Sequence, residues 1–285
     1  MIVELLSLLT AVCYGFSAVL ARKGMKGSNP LTGTILGALV QVVLLSLFIL
    51  IYPPEAFNWP AFAYFTASGL LASTFGRFLN YESIDRLGVS VSATIIGSSP
   101  LFSTLFAIMF IGEGVLLSTL IGTVLVVSGI AITRSGWDRK NQLRNTAILL
   151  PIAAATFYGA SSVVRKVGLD LLPESALGAL VGAGTSLISF AFYLVATRRL
   201  ERISLDWESG RYFLVSGVVV TVGWLSMFTA LAAGKVSVVT ALIGTNPLFS
   251  VLLSLVLLRD TERFDLRIAL GCLAIVAGAA TITLL

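Results

Sequence analysis

The segment Ile96-Gly97-Ser98-Ser99-Pro100-Leu101-Phe102-Ser103 returns 147 residues later as Ile243-Gly244-Thr245-Asn246-Pro247-Leu248-Phe249-Ser250, with six of the eight positions identical. The same offset carries Ser90-Val91 onto Ser237-Val238, Tyr81 onto Phe228 and Glu113 onto Asp260. With small shifts, Tyr14-Gly15 matches Tyr158-Gly159, and Ile121-Gly122 through Gly129 matches Leu270-Gly271 through Gly278. Self-similarity at one fixed spacing marks a chain made of two copies of one unit, residues 1–137 and 138–285.

Each copy is apolar almost throughout. The chain is 57% hydrophobic and 12% charged, against roughly 25% charged residues in a soluble domain. The bilayer is the solvent that such a composition fits. Windows bounded by charges, Pro or Trp give ten expected spans. They are Val3 to Ala21, Leu31 to Tyr52, Ala61 to Tyr81, Val89 to Ile111 and Val115 to Arg134, then Thr146 to Lys166, Glu174 to Ala196, Arg211 to Ala233, Val236 to Leu258 and Asp265 to Leu285. A span needs about 20 apolar residues, so ten nearly exhaust the length. Continuous rather than alternating apolar runs disfavour a barrel. The expected fold is an all-α membrane protein of ten transmembrane helices.

Five spans per copy is an odd number, so the second copy enters the membrane from the opposite side and the repeats are inverted. Charge placement gives an independent test, because Lys and Arg concentrate in cytoplasmic loops. Counting Arg77 with the loop after the third span, 16 of the 19 basic residues follow the odd-numbered spans. Arg165, Lys166 and Lys235 are left for the other side. This predicts both termini outside the cytoplasm of a multi-pass protein of a prokaryotic plasma membrane. The first apolar stretch has Glu4 before it and Arg22, Lys23 and Lys26 after it, the reverse of a cleavable signal, and is expected to be retained.

Pro100 and Pro247 fall in the middle of their spans. A proline there removes a backbone donor and frees the carbonyls of Ile96 and Ile243, which is tolerable at bilayer depth only beside protein or a watery cavity. Ser98, Ser99, Thr245 and Asn246 flank these kinks. One reading is a pair of broken helices around a midplane substrate site; the other is bending for packing, with the hydroxyls bonded back to their own helices.

Tyr14 and Ser17 recur as Tyr158 and Ser161, each pair on one helix face, and cavity lining or interfacial anchoring both suit the tyrosines. Arg77, Asn80 and Tyr81 share a face whose counterpart in the second copy is Trp224, Met227 and Phe228. The expected substrate contacts are thus Tyr14, Ser17, Arg77, Asn80, Tyr81, Ser98, Ser99, Tyr158, Ser161, Trp224, Thr245 and Asn246, with Pro100 and Pro247 as kinks. Glu82 is positioned to pair with Arg86 at the interface, and Glu113 and Asp260 to cap the helices that follow them.

The chain contains no His, which removes imidazole metal sites, Ser-His catalysis and histidine proton relays together. Cys13 and Cys272 lie in separate apolar runs and read as buried free thiols. No Gly-rich phosphate loop or paired catalytic carboxylates occur. No catalytic residue, metal or cofactor is expected, and basic residues beside helix ends give no reason to expect nucleic acid.

In combination these elements resemble the ten-helix EamA family of the drug/metabolite transporter superfamily. The family's repeat signature reads here as Tyr81-Glu82-Ser83-Ile84, Pro100-Leu101, Ile111-Gly112-Glu113 and Gly122 to Gly129. In the second copy it reads Phe228-Thr229-Ala230-Leu231, Pro247-Leu248, Leu258-Arg259-Asp260 and Gly271 to Gly278. The resemblance implies export or exchange of small metabolites, often amino acids or related compounds, through a cavity formed by both halves. It implies a small-molecule substrate, a lipid bilayer and, for active transport, a proton gradient or a counter-substrate. The small multidrug members of the superfamily carry an acid midway along the first helix, where this chain has Cys13 and Tyr14. A cavity rich in hydroxyls and aromatics with little charge favours neutral, zwitterionic or aromatic solutes. A sugar-phosphate or nucleotide-sugar exchanger would need several basic residues in the cavity, and Arg77 alone offers itself. A membrane-embedded enzyme or a non-transporting scaffold are the readings from other classes. Monomer and homodimer are not distinguished by the sequence.

Overall fold

The computed structural model describes residues 1–112, 118, 121, 122, 124–126, 128, 129, 132, 147–198, 203, 204, 206–258 and 266–284. Among them the chain is helical, without strands. The first copy supplies α1 (Ile2–Gly24), α2 (Pro30–Ile51), α3 (Trp59–Ser68), a π-helical turn (Gly69–Gly76), α4 (Arg77–Leu87), α5 (Val89–Ile96) and α6 (Ser99–Ile111). The second supplies α7 (Leu149–Leu171), α8 (Ser175–Thr197), α9 (Trp207–Ala233), α10 (Val236–Ile243), α11 (Asn246–Leu257) and α12 (Leu266–Leu284).

Local chemistry sets these boundaries. Asn29 caps α2, accepting from the Thr32 amide at 2.9 Å with Pro30 next in the chain, where a proline's missing donor costs nothing. Asn58 caps α3 in the same way ahead of Pro60, accepting from Ala61 at 3.1 Å. Asp206 caps α9, and the Ser209 hydroxyl and amide hold its carboxyl below the usual range. Between α4 and α5 stands Gly88 at φ +86°, a conformation that disfavours any residue with a Cβ.

Among the described residues five helical stretches are long and apolar enough to cross a membrane: Ile2–Gly24, Pro30–Ile51, Val89–Ile111, Ser175–Thr197 and Trp207–Ala233. Asn246–Leu257 and Leu266–Gly278 are shorter and apolar. Outward faces carry side chains such as Leu47, Leu50, Phe192, Val195, Val222 and Val256, all exposed, whereas many Ser and Thr are buried. That distribution suits a lipid surround.

Two expected span ends move, and one arginine moves inward. The third span does not end at Tyr81; it runs on through α4 to Leu87, so Arg77 lies inside a helix and is 5% exposed. The sixth does not end at Lys166; α7 continues to Leu171, because Lys166 pairs with Asp170 one turn on and is neutralised within the helix. Arg165, assigned to a loop by the sequence, is instead 2% exposed in the interior. The expected bonding of Glu82 with Arg86 is present at 2.8 Å, while Glu113 and Asp260 lie outside the described residues.

The copies pack against one another in matched pairs. α1 lies along α9, and α7 lies along α3, the π turn and α4. A Cβ on Gly15 would meet Phe249 Cβ at 2.7 Å and Ser250 N at 2.9 Å; one on Gly159 would meet Phe102 Cβ at 2.6 Å and Ser103 N at 2.7 Å. Phe213 fills the space at Gly24 and Gly33, as Phe65 does at Gly168 and Gly178. Ser17 and Ser216 share a hydrogen bond at 2.9 Å, and Ser161 donates to the Ser68 carbonyl at 3.2 Å.

These pairs expose a change of register. Phe65 and Ser68 correspond to Phe213 and Ser216, an offset of 148, whereas Gly76 and Arg77 correspond to Gly223 and Trp224, an offset of 147. The first copy therefore holds one extra residue between Gly69 and Gly76, where its helix is π and the continuous α9 is not. A π turn absorbs an added residue without shifting the helix on either side of it.

Candidate functional site

Both central helices break where the sequence places its prolines. α5 stops at Ile96 and α6 starts at Ser99; α10 stops at Ile243 and α11 starts at Asn246. The turn bonds match: Ser98 N to Ile95 O at 3.0 Å and Leu101 N to Ser98 O at 3.0 Å, then Thr245 N to Leu242 O at 3.2 Å and Leu248 N to Thr245 O at 3.0 Å. Each proline occupies the first turn of the following helix.

Beside these breaks lies a cavity with an empty volume of about 990 Å³, part of it open to solvent. Nine of the twelve expected contacts line it: Tyr14, Ser17, Arg77, Asn80, Tyr81, Ser99, Tyr158, Trp224 and Asn246. Ser98, Ser161 and Thr245 do not. Ser98 donates to Ile95 O and Thr245 to Leu242 O, each at 2.7 Å, so these two hydroxyls serve the helix break itself. Ser161 sits behind the wall and Ser162 takes its place in the lining. Pro100 and Pro247 are buried within the breaks rather than presented to the cavity.

The polar groups are tied across the halves. Asn80 Nδ2 donates to the Tyr158 hydroxyl at 3.4 Å, and the Tyr14 hydroxyl donates to Met227 Sδ at 3.4 Å. Ser103 donates to Thr240 at 2.9 Å, joining α6 to α10 behind the breaks. The Arg77 guanidinium lies 5.5 Å from the Trp224 ring centroid, and that of Arg165 lies 5.1 Å from Trp224 and 4.5 Å from Phe228. Arg165 further donates to Ser161 Oγ at 3.0 Å and to Met227 Sδ at 3.2 Å.

Arg165, Met227, Thr240 and Ser250 line the cavity without having been singled out as contacts. Arg165 had a signal. It follows Tyr158 by seven residues and Ser161 by four, two turns and one turn along the same helical face. Placing the helix end at Lys166 concealed it. Among the described residues no group of three metal-ligating side chains comes together.

Comparison with known proteins places this architecture. A solved structure, described only as "Crystal structure of protein", superposes with a TM-score of 0.70 at 18% identity, over 99% of this chain and 96% of its own. An "Uncharacterized transporter" of Archaeoglobus fulgidus is 22% identical over 273 residues, 95% of this chain and 94% of that one. The "Uncharacterized transporter YvbV" of Bacillus subtilis is 24% identical over 229 residues, 78% of this chain and 70% of its own. A Methanocaldococcus jannaschii protein matches 41% of this chain with 82% of its length, at 27% identity, about the share that one copy occupies. These likenesses point to a membrane transporter rather than an enzyme. The model of the EamA-like transporter family matches twice, over residues 1–135 and 145–284, one match per copy, and the chain belongs to that family.

Proposed function

We propose that this protein is a secondary transporter that moves small organic metabolites by alternating access, its two halves rocking about the central cavity. The observation that carries the reading is the cavity's position. It lies where both halves meet, beside two helix breaks, and is lined by counterpart residues from each copy, Tyr14 with Tyr158 and Ser99 with Asn246. Broken helices at a repeat interface are the usual setting of a transported solute.

The reading takes ten spans in two inverted units, residues 1–137 and 138–285, in a prokaryotic plasma membrane. To the apolar helices described above it adds α3 through α4, α7 and residues 115–134. Of the charges the first two carry, Arg77 and Arg165 face the protein interior, where lipid does not meet them. Removing Arg77 and Arg165 from the loop count leaves the basic bias on the same side, which favours both termini outside the cytoplasm. A C-terminal reporter active only in the cytoplasm checks this, and activity there would reverse the topology.

Purified protein in liposomes, tested for uptake and counterflow of amino acids, amines, organic acids and sugar phosphates with and without a proton gradient, should show saturable flux of at least one class. Absence of protein-dependent flux across the whole set would remove the transport reading. Exchange of phosphorylated solutes is a second reading, and it gains from Arg165, which gives the cavity a second cation.

A further inference from the structure

We infer that the solute this cavity accepts is a small organic anion, seated between Arg77 and Arg165; the inference rests on the transport reading above and names its substrate class. Both guanidiniums are in the lining and both are buried, at 5% and 2% exposure. Among the described residues no Asp, Glu or Lys lines the same space. The ion pairs among the described residues lie elsewhere: Met1 with Glu4, Arg22 with Asp85, Arg86 with Glu82, Lys166 with Asp170 and Arg211 with Glu208. Two like charges thus share one cavity with no counter-ion among the described residues. Buried charge at bilayer depth is costly unless paired.

The hydrogen-bonding edges of the two arginines point to the same conclusion. Arg77 Nη1 and Arg165 Nε are buried without a hydrogen-bond partner. The guanidiniums lie over the Trp224 and Phe228 rings, and a ring is no acceptor for the N–H groups that remain unbonded. Carboxylate and phosphate oxygens are the acceptors whose geometry matches those edges. Asn80, Asn246 and the two tyrosine hydroxyls supply neutral polar contacts for the rest of the solute. A solute ammonium would find no carboxylate in the lining, so free amines and zwitterions fit less well than acids.

The test uses two matched pairs of probes, benzoate with benzamide and glycerol phosphate with glycerol. Thermal unfolding of the detergent-purified protein reads binding, and flux into liposomes reads transport. Binding of at least one anion in preference to its neutral partner is expected, and which anion binds separates carboxylate from phosphate recognition. Arg77→Gln and Arg165→Gln should each cut that preference by about tenfold or more. Arg165→Gln also loses the bonds to Ser161 and Met227, so Arg165→Lys, which keeps the charge, should retain part of the preference. Equal binding of anion and neutral partner in both pairs, no binding of either anion, or an unchanged preference in both Gln variants would overturn the assignment. Anion binding without any flux would sink the transport reading and leave the anion assignment standing. Flux of the neutral partners at the same rate as the anions would do the reverse.

Discussion

Asn80 donates to the hydroxyl of Tyr158 across the boundary between the halves, at 3.4 Å. In the counterpart pair, Tyr14 donates to the sulfur of Met227 at the same distance. Thioether sulfur is a weak acceptor, and 3.4 Å is long for a bond between nitrogen and oxygen, so both hydroxyls keep bonding capacity for a solute.

Tyr158→Phe and Tyr14→Phe should therefore each weaken solute binding several-fold, the equivalent of a lost hydrogen bond of about 1 kcal/mol. Transport affinity measured for both variants decides the point. Unchanged affinity in both would mean that the tyrosines act through ring packing alone.

Asn246→Leu keeps volume while removing an amide from the cavity wall. Folding should survive, and affinity for the transported solute should fall several-fold, again for about 1 kcal/mol of hydrogen bonding. A purified variant with unchanged affinity and rate would take Asn246 out of the site.

Gly15→Val and Gly159→Val press a branched side chain against the backbone after Phe249 and Phe102. Overpacking of this sort costs about 1–3 kcal/mol. Both variants should unfold at lower temperature in detergent, by similar amounts, since the two contacts are counterparts. A stable Gly159→Val beside an unstable Gly15→Val would show that the halves do not pack equivalently.

Deleting Leu70, an exposed residue of the π turn, should return the first copy to the register of the second and convert the turn to α-helix. The expected product is a folded protein with altered transport rate, because hydrogen-bond spacing changes just before Arg77 while flanking contacts persist. Gross misfolding would mean that the extra residue is needed for packing and not merely tolerated.

Pro100 and Pro247, with their duplicated surroundings, make the repeat and the helix breaks legible in the sequence, and the recurrence of Tyr14 as Tyr158 and the alignment of Arg77 with Trp224 lead to most of the remaining polar lining. Ser98 and Thr245 stay ambiguous in the sequence because a hydroxyl beside a break has two possible acceptors, a solute or its own turn, and in the structure both bond their own turn. Arg165 was lost to a convention that ends a span at its first charges. The side chain is inside because Ser161, Met227 and two aromatic faces receive it, partners that become visible only when α7 and α9 are side by side. The π turn was hidden for a different reason. A single offset of 147 fits the residues after Gly76, and the step to 148 before Gly69 emerges from matching Phe65 and Ser68 to Phe213 and Ser216 by their contacts.

Arg77 and Trp224 occupy the same position in the two copies, and they touch. Any residue that meets its own counterpart lies on the axis relating the two units, and there perfect symmetry is a handicap. A homodimer of the first unit would set arginine against arginine at that point, and a homodimer of the second would stack tryptophan on tryptophan. Joining two units in one polypeptide lets the axial position hold two different residues, so a cation can rest on an aromatic face where identical subunits would have forced like to meet like.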